Sequence, residues 1–260
     1  MSLEARALDF GYPGHVVGRG LDLALAPAEV LCVLGPNGSG KTTLFRTLLG
    51  LLPRLAGQVT IGGEDVARMP RATIAREMAY VPQASSSYFD FSLEEMVLMG
   101  RTAHLRTFAG PGPQDRLLAH SALERMGIGA LADRPVGAVS GGERQLALIA
   151  RALATEARAL VMDEPTANLD FGNQARVLAH IAALRRSGVS ILLCTHDPDH
   201  AFQVADRVLL LREGRAVTLA PTEEALTAEN LSRLYDIPVH VADVDTPAGR
   251  RRICVPSARL

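Results

Sequence analysis

The feature that most constrains the fold is a glycine-rich segment between an apolar stretch and a helical stretch. Val30–Leu34 (VLCVL) predicts a buried strand, residues 35–42 (GPNGSGKT) follow at once, and Thr42–Leu51 has a helical pattern. This matches G-x-x-x-x-G-K-[ST] in the strand–loop–helix context that the motif requires. Glycines let the backbone curl until successive N–H groups converge on one anion. The segment therefore predicts a loop that binds the phosphates of a nucleotide.

Each residue of this loop has an expected contact. Lys41 is expected to lie against the β- and γ-phosphates, and the Thr42 hydroxyl is expected to bind Mg²⁺. Lys41 is the only lysine among 27 basic residues, which favours a site that needs a compact ammonium. An accidental glycine-rich turn is the alternative. The nucleotide-binding residues predicted from the loop are Gly35, Pro36, Asn37, Gly38, Ser39, Gly40, Lys41, Thr42 and Thr43.

Two adjacent carboxylates end a second apolar strand. Leu160–Met162 is followed directly by Asp163 and Glu164. Ligands gather at the carboxyl ends of parallel strands, so both acids are expected to face the loop. Neighbouring strand residues point to opposite sides, which suits them to different roles. Asp163 is expected to hold Mg²⁺, directly or through water, and Glu164 to polarise an attacking water. An exposed acidic turn is the alternative.

The rest of the chain predicts one domain, residues 1–260, in three parts. Residues 1–83 and 151–217 predict the catalytic core, which begins with antiparallel strands and continues as strands separated by helices, the pattern of a parallel sheet. Residues 84–150 predict an inserted helical part with helices over 93–100, 115–126 and 142–154. Residues 218–260 predict an extension with one helix over 222–234 and a polar end.

Composition excludes several classes of protein. The net charge is −1, which offers no bulk positive surface for a nucleic acid. We expect no transmembrane helix and no signal peptide, because apolar runs are only strand-length. Cys32, Cys194 and Cys254 form no C-x-x-C pair and are expected to be free thiols of a reducing cytoplasm.

A serine–glycine–glycine sequence begins the predicted helix over 142–154. Ser140 and Glu143 have the spacing of a capping box, which explains the local structure. Ser140-Gly141-Gly142 also stands about 20 residues before the acidic strand end. This order resembles the signature of ABC ATPases, usually Leu-Ser-Gly-Gly-Gln, from which Val139 and Glu143 depart conservatively.

Other elements follow in the order of that family. Tyr12 resembles the aromatic residue that stacks on adenine, with Phe10 as a competitor. Gln83 resembles the Q-loop glutamine, which implies contact with Mg²⁺ and, with residues 84–91, sensing of the γ-phosphate. Asp170 resembles the D-loop aspartate, and His196 resembles the switch histidine. The resemblance spans about residues 3–215.

The resemblance implies a fold and a mechanism. The expected fold is α/β: a P-loop (RecA-like) parallel sheet core with an N-terminal antiparallel β subdomain and an inserted α-helical subdomain. The expected activity is hydrolysis of ATP with Mg²⁺, with Lys41, Glu164 and His196 as catalytic residues. A head-to-tail pair is implied, in which Ser140, Gly141 and Gly142 of one copy close the ATP bound by the other.

Partners and location are implied in the same way. The expected partners are integral membrane permease subunits at the cytoplasmic face of the membrane and, indirectly, a periplasmic or surface substrate-binding protein. Segments 91–93, 97–101, 165–170 and 234–239 resemble ATPases of iron-siderophore, haem and cobalamin importers, which favours a metal chelate as cargo. Molybdate/tungstate importer ATPases share the neighbourhoods of residues 99–101 and 107–109 and are the alternative.

Three further alternatives remain. A non-transport ABC ATPase that acts on DNA or ribosomes is disfavoured by the lack of a long coiled-coil insertion. A stand-alone P-loop kinase leaves Ser140–Gly142 and His196 without a purpose. His196-Asp197-Pro198-Asp199-His200 also invites a metal site, although Pro198 suits the first turn of a helix and would place His196 before it.

Overall fold

The computed structural model describes residues 2–83, 91–106, 109–247 and 249–257. Within these ranges the strands are β1 Leu3–Tyr12, β2 His15–Leu25, β3 Val30–Leu34, β4 Ala56–Ile61, β5 Glu64–Asp65, β6 Met78–Val81, β7 Ala159–Asp163, β8 Ser190–Thr195, β9 Arg207–Arg212, β10 Arg215–Pro221, β11 Val239–Thr246 and β12 Gly249–Pro256. The α-helices are α1 Lys41–Leu48, α2 Arg71–Glu77, α3 Leu93–Leu98, α4 Pro113–Arg125, α5 Gly141–Ala154, α6 Phe171–Arg186, α7 Pro198–Val204, α8 Thr222–Ala225 and α9 Ala228–Tyr235.

The central sheet has the strand order β10-β9-β3-β8-β7-β6. Five of its strands pair in parallel, and β10 pairs antiparallel with β9. Every residue of β3, β7 and β8 is buried, because helices cover both faces of a parallel sheet and leave no solvated side. The predicted parallel core is confirmed, and its register brings the carboxyl ends of β3, β7 and β8 to one edge.

A second, antiparallel sheet flanks this core in the order β2-β1-β4-β5. Apolar residues of β1 and β2 alternate with exposed ones, as expected of a sheet with one buried face. That buried face packs with Phe45 and Leu48 of α1 in one apolar cluster. The predicted antiparallel start of the chain is confirmed.

Three helices, α3 to α5, lie between β6 and β7 in the chain and pack against one another. Capping boxes begin α3 at Ser92 and α5 at Ser140. The helix predicted to run to residue 100 ends as an α-helix at Leu98, and a 3-10 helix continues it to His104. None of the helices in the described ranges is long and apolar enough to cross a bilayer.

The extension after residue 217 differs from the prediction in two ways. The single helix expected over 222–234 is wrong: α8 ends at Ala225, and Thr227 begins α9 by accepting a hydrogen bond from the Asn230 N–H. The polar end also contains two strands that were not predicted, since β11 and β12 form an antiparallel hairpin from Val239↔Pro256 to Thr246↔Gly249. Two valines of β11, Val239 and Val241, turn toward the core while polar residues alternate with them.

Candidate active site

The glycine-rich loop turns tightly between β3 and α1. Gly38 and Gly40 have φ values of 81° and 101°, in the left-handed region that favours glycine. A Cβ on Gly40 would lie 2.7 Å from Val17 Cγ1, so the loop can approach β2 only without a side chain there. The backbone thus adopts the anion-binding curl that the motif predicts.

Lys41 lies inside this curl with only 5% of its surface exposed. Its ammonium donates hydrogen bonds to Gly35 O (2.8 Å) and Pro36 O (3.0 Å) and lies 3.3 Å from Glu164 Oε1. An ammonium has three N–H donors. Two of them bond to carbonyls of the loop, and Glu164 is the charged neighbour of the ammonium.

Thr42, on the next position, contacts the first of the two predicted acids. Its Oγ1 donates to Asp163 Oδ1 at 3.1 Å. The Cys194 thiol donates to the same carboxylate oxygen (2.9 Å), and the Tyr80 hydroxyl donates to Oδ2 (3.1 Å). Burial and the charge of Asp163 raise the pKa of both the Cys194 thiol and the Tyr80 hydroxyl, which keeps both groups protonated as donors.

Tyr80 and Cys194 were missed by sequence reasoning, because strand register alone brings them to Asp163. Cys194 is the direct register partner of Asp163, and Tyr80 pairs with Val161, which faces the same side of the sheet as Asp163.

Glu164 lies at the turn after β7 with φ = 47°, an uncommon conformation for a residue other than glycine. Its N–H donates to Cys194 O at 3.2 Å, which ties the turn to the end of β8. Its carboxylate lies between two basic groups, with Oε1 near the Lys41 ammonium and Oε2 3.3 Å from His196 Nδ1. The structure therefore brings together the three residues predicted to be catalytic.

A cleft of about 660 Å³ opens over the loop. Loop residues and predicted site residues line it: Asn37, Gly38, Gly40, Lys41, Thr42, Thr43, Gln83 and Glu164. Five further lining residues were not predicted: His15, Val16, Val17, Glu213 and Gly214. They come from β2 and from the β9–β10 turn, where the Gly214 N–H donates to Ser39 O, and no motif marks them.

The residues present fit a magnesium nucleotide. Within the described part of the chain, the buried hydroxyl of Ser39 has no hydrogen-bond partner, although it lies in the loop that would surround the phosphates. Such a group calls for a ligand or water, because an unsatisfied buried hydroxyl is costly. Thr42 and Asp163 supply the oxygen ligands that Mg²⁺ prefers.

The two candidate aromatic residues lie in different environments. Phe10 is fully buried beneath Gly18 and Gly40, so it cannot stack on a ligand. Tyr12 is 40% exposed at the end of β1 and pairs with His15, which lines the cleft, but Tyr12 itself is not among the lining residues. Its role with adenine stays a prediction.

The Ser140 segment and the Asp170 segment pack against each other, and neither is among the segments that line the cleft. Ser140 caps α5: its Oγ accepts from the Glu143 N–H (3.2 Å), and its own N–H donates to Glu143 (2.8 Å), which lowers the pKa of that carboxyl. Asp170 caps α6 by accepting from the Asn173 N–H at 2.8 Å. A Cβ on Gly142 would meet Asn173 at 2.2 Å, so only glycine permits this packing. Ser140 and Gly141 remain exposed.

The metal alternative at residues 196–200 gains no support. The Nδ1 atom of His200 lies 3.1 Å from Thr166 Oγ1, and its Nε2 atom lies 3.4 Å from Asp197 Oδ2; burial lowers its pKa. Among the residues that the structure describes, no three His, Cys, Asp or Glu side chains form a group that could hold a metal ion.

The fold and the converging loop, acids and histidine define a P-loop nucleotide hydrolase. The family model described as ABC transporter matches residues 19–167. The chain belongs to this family: it is an ATP-binding subunit and an ATPase.

Known proteins agree with this assignment. A probable iron chelatin transport ATP-binding protein of Helicobacter pylori is 36% identical over 92% of this chain and 94% of its own length. A molybdate import ATP-binding protein of Haemophilus influenzae is 36% identical over 92% of this chain and 89% of its own. A solved metal-chelate type ABC transporter in an inward-facing conformation superposes with a TM-score of 0.89 at 33% identity, covering 99% of this chain and 98% of that one.

Proposed function

We propose that this chain is the ATP-hydrolysing subunit of an importer that takes up a metal chelate of the iron-siderophore, haem or cobalamin type. The observation that carries the proposal is the arrangement around Glu164, whose carboxylate lies between the Lys41 ammonium and the His196 imidazole at 3.3 Å from each. Metal-chelate cargo is supported by the names of the iron chelatin relative and the solved transporter.

The loop residues would bind the triphosphate of ATP. The backbone N–H groups of Asn37, Gly38 and residues 40–42, at the loop and the start of α1, would donate to the phosphates. The unpaired Ser39 hydroxyl can donate a further bond. The phosphate oxygens would replace Glu164 as the partner of the Lys41 ammonium, which frees that carboxylate for water.

Mg²⁺ would be held by Thr42 and Asp163, with Gln83 at the edge of the cleft as a further oxygen ligand. When bound, the ion neutralises phosphate charge and increases the electrophilicity of the γ-phosphorus.

Hydrolysis requires a water placed on the γ-phosphate. Glu164 would accept a hydrogen bond from that water and draw off its proton as the new phosphorus–oxygen bond forms. The bond to the β–γ bridging oxygen then breaks, and ADP keeps the electron pair. His196, beside Glu164, would orient the carboxylate and donate to the γ-phosphate.

A second copy would complete the site. Ser140 and Gly141 are exposed at the start of α5, and a helix start with free N–H groups suits a γ-phosphate. In a head-to-tail pair this start would close the ATP held by the partner, with Asp170 and its loop alongside. Because ATP binds the closed pair better than the open one, binding and hydrolysis can drive a cycle of motion.

Permease subunits at the cytoplasmic face of the membrane would receive that motion. A mostly apolar groove of about 520 Å³ lies between α2, the 3-10 helix after α3 and α5. It includes the exposed side chains Leu51 and Met99, and such a patch suits a helix of a membrane subunit. Tyr80, three residues before Gln83, lines it as well. The expected sensing loop, residues 84–91, lies outside the described residues except for Phe91.

The test is reconstitution of the chain in proteoliposomes with the permease and the binding protein of its transporter. Cargo-loaded binding protein should stimulate ATP hydrolysis and uptake for one of three probes, namely a ferric hydroxamate, haemin or cyanocobalamin. Stimulation by molybdate alone would establish the alternative cargo. If the permease neither binds the chain nor alters its ATP hydrolysis, the proposed transport function is overturned and a non-transport ABC ATPase is favoured.

A further inference from the structure

The C-terminal extension contacts the segment that carries His196 at two points. The Tyr235 hydroxyl, at the end of α9, donates to the backbone carbonyl of His196 at 2.7 Å. The backbone N–H of Cys254, in β12, donates to Asp199 Oδ1 at 2.8 Å. Two separate elements of the extension therefore contact residues 196–199, which are the two residues that join β8 to α7 and the first two residues of α7.

The extension is itself firmly placed. Leu226, Leu231 and Leu234 are at most 1% exposed and belong to the main apolar core. The Arg212 guanidinium donates to the carbonyl of Arg233, which connects α9 to the carboxyl end of β9. Because Tyr235 follows Leu234 directly on this helix, its hydroxyl is presented to His196 from a packed element. Burial raises the pKa of Tyr235, which keeps it a donor.

The imidazole of His196, by contrast, is half-exposed, and its side chain projects from a short turn. Within that turn the Asp197 N–H donates to Thr195 Oγ1 at 3.1 Å, and the Asp197 carboxylate caps α7. The Asp197 N–H shares its peptide group with the His196 carbonyl, so Thr195 holds one side of that peptide group. The bond from Tyr235 holds the other side, at the carbonyl next to the Cα atom from which the imidazole extends.

We propose that the C-terminal extension is a positioning element for hydrolysis, in which Tyr235 and the Cys254 backbone hold the 196–199 segment so that His196 lies against Glu164. Small displacements of a catalytic group cost large factors in rate, whereas nucleotide affinity depends on the loop at residues 35–42. The inference rests on the proposed catalytic role of His196.

The experiment compares Tyr235→Phe with wild type in steady-state ATP hydrolysis. We expect kcat to fall about tenfold, because a displaced catalytic group loses rate steeply, while the KM for ATP stays near that of wild type. The lost bond itself should lower the melting temperature only slightly. Asp199→Ala, which removes the second contact, should lower kcat in the same direction. The matched control is Asn230→Ala, which removes a side-chain bond from the same helix to a carbonyl outside the site, Ala225 O at 3.0 Å, and should leave kcat unchanged.

A double-variant cycle separates positioning from a general structural effect. If Tyr235 acts through His196, adding Tyr235→Phe to His196→Ala should not lower the residual turnover further. An equal loss in both backgrounds, or wild-type kcat for Tyr235→Phe beside a crippled His196→Ala, would overturn the inference and leave the proposed function intact. Wild-type turnover of His196→Ala would instead remove the catalytic role of His196, on which both this inference and the proposed hydrolysis mechanism rest.

Discussion

At the scale of single residues, the phosphate loop requires a lysine at position 41, and a positive charge alone is not sufficient. Lys41 is the one lysine of the chain, and its buried ammonium bonds to two carbonyls of its own loop. A guanidinium is planar and broader, so it cannot occupy the same space while pointing at a phosphate. We expect Lys41→Arg to weaken ATP binding about as much as Lys41→Ala, by about 100-fold, the value of charge-assisted bonds. Titration calorimetry would show this, and wild-type affinity in the arginine variant would contradict it.

Asp163 offers a second prediction at this scale, since Tyr80 donates to one of its oxygens and Thr42 to the other. Tyr80 should therefore hold the carboxylate with Oδ1 toward the metal position. Partners of this kind typically contribute 10- to 100-fold to metal affinity. Tyr80→Phe should raise the Mg²⁺ concentration for half-maximal ATP hydrolysis about tenfold, with nucleotide affinity in EDTA unchanged. A Mg²⁺ dependence equal to that of wild type would show that Tyr80 only packs there.

At the scale of elements, the start of α5 is expected to serve both stability and catalysis, and the chain contains a control. Ser92 caps α3 with the same capping box, with an Oγ distance of 3.1 Å against 3.2 Å at Ser140. Alanine at either position should lower the free energy of unfolding by about 1 kcal/mol. Only Ser140→Ala should also slow ATP hydrolysis.

Ser140→Asp sharpens the comparison. Aspartate caps helices as well as serine, so stability should be kept, but its charge would repel the partner's γ-phosphate. We expect normal denaturant unfolding with lost ATP-dependent pairing. Wild-type turnover in this variant would mean that α5 does not face nucleotide.

The same elements show what the sequence could and could not predict. The loop, Asp163 and Glu164 were predictable because each lies at the end of a short apolar strand whose carboxyl end must reach one edge of the sheet. His196 was predicted only from its resemblance to the switch histidine of ABC ATPases. Tyr80, Cys194 and Tyr235 were not, since their partners depend on strand register and on packing between distant segments. The β11–β12 hairpin was missed because charged residues interrupt its apolar alternation.

At the scale of the whole molecule, buried thiols predict how stability depends on pH. Burial raises the pKa of Cys32 to about 12, above the value of about 8.5 for an unfolded thiol. The folded state therefore keeps a proton that the unfolded state loses, so the contribution is complete below about pH 8.5 and is lost as pH rises toward 12. Denaturant unfolding from pH 7.5 to 10.5 should show falling stability, with a shallower fall in Cys32→Ala. Equal slopes would show that this thiol is not the cause.

The proposed pairing of two copies can be tested on the whole molecule through one exposed side chain. Phe171 is 88% exposed at the start of α6, directly after Asp170 and on the element whose Asn173 packs against Gly142. Exposure of a large aromatic side chain to water is unfavourable, and its burial against a second copy would be favourable. Glu164→Gln should bind ATP without turnover and elute from a sizing column as a dimer.

Adding Phe171→Asp to Glu164→Gln should return the molecule to a monomer, because the substitution places charge at the interface. ATP affinity should be little changed, since Phe171 is not among the residues that line the cleft. Leu117, a large apolar side chain that is 66% exposed on α4, provides the matched aspartate substitution and should leave the dimer intact. A Phe171→Asp variant that still dimerises with ATP would place the interface elsewhere, and the cap from Ser140 would then have no route to the partner's nucleotide.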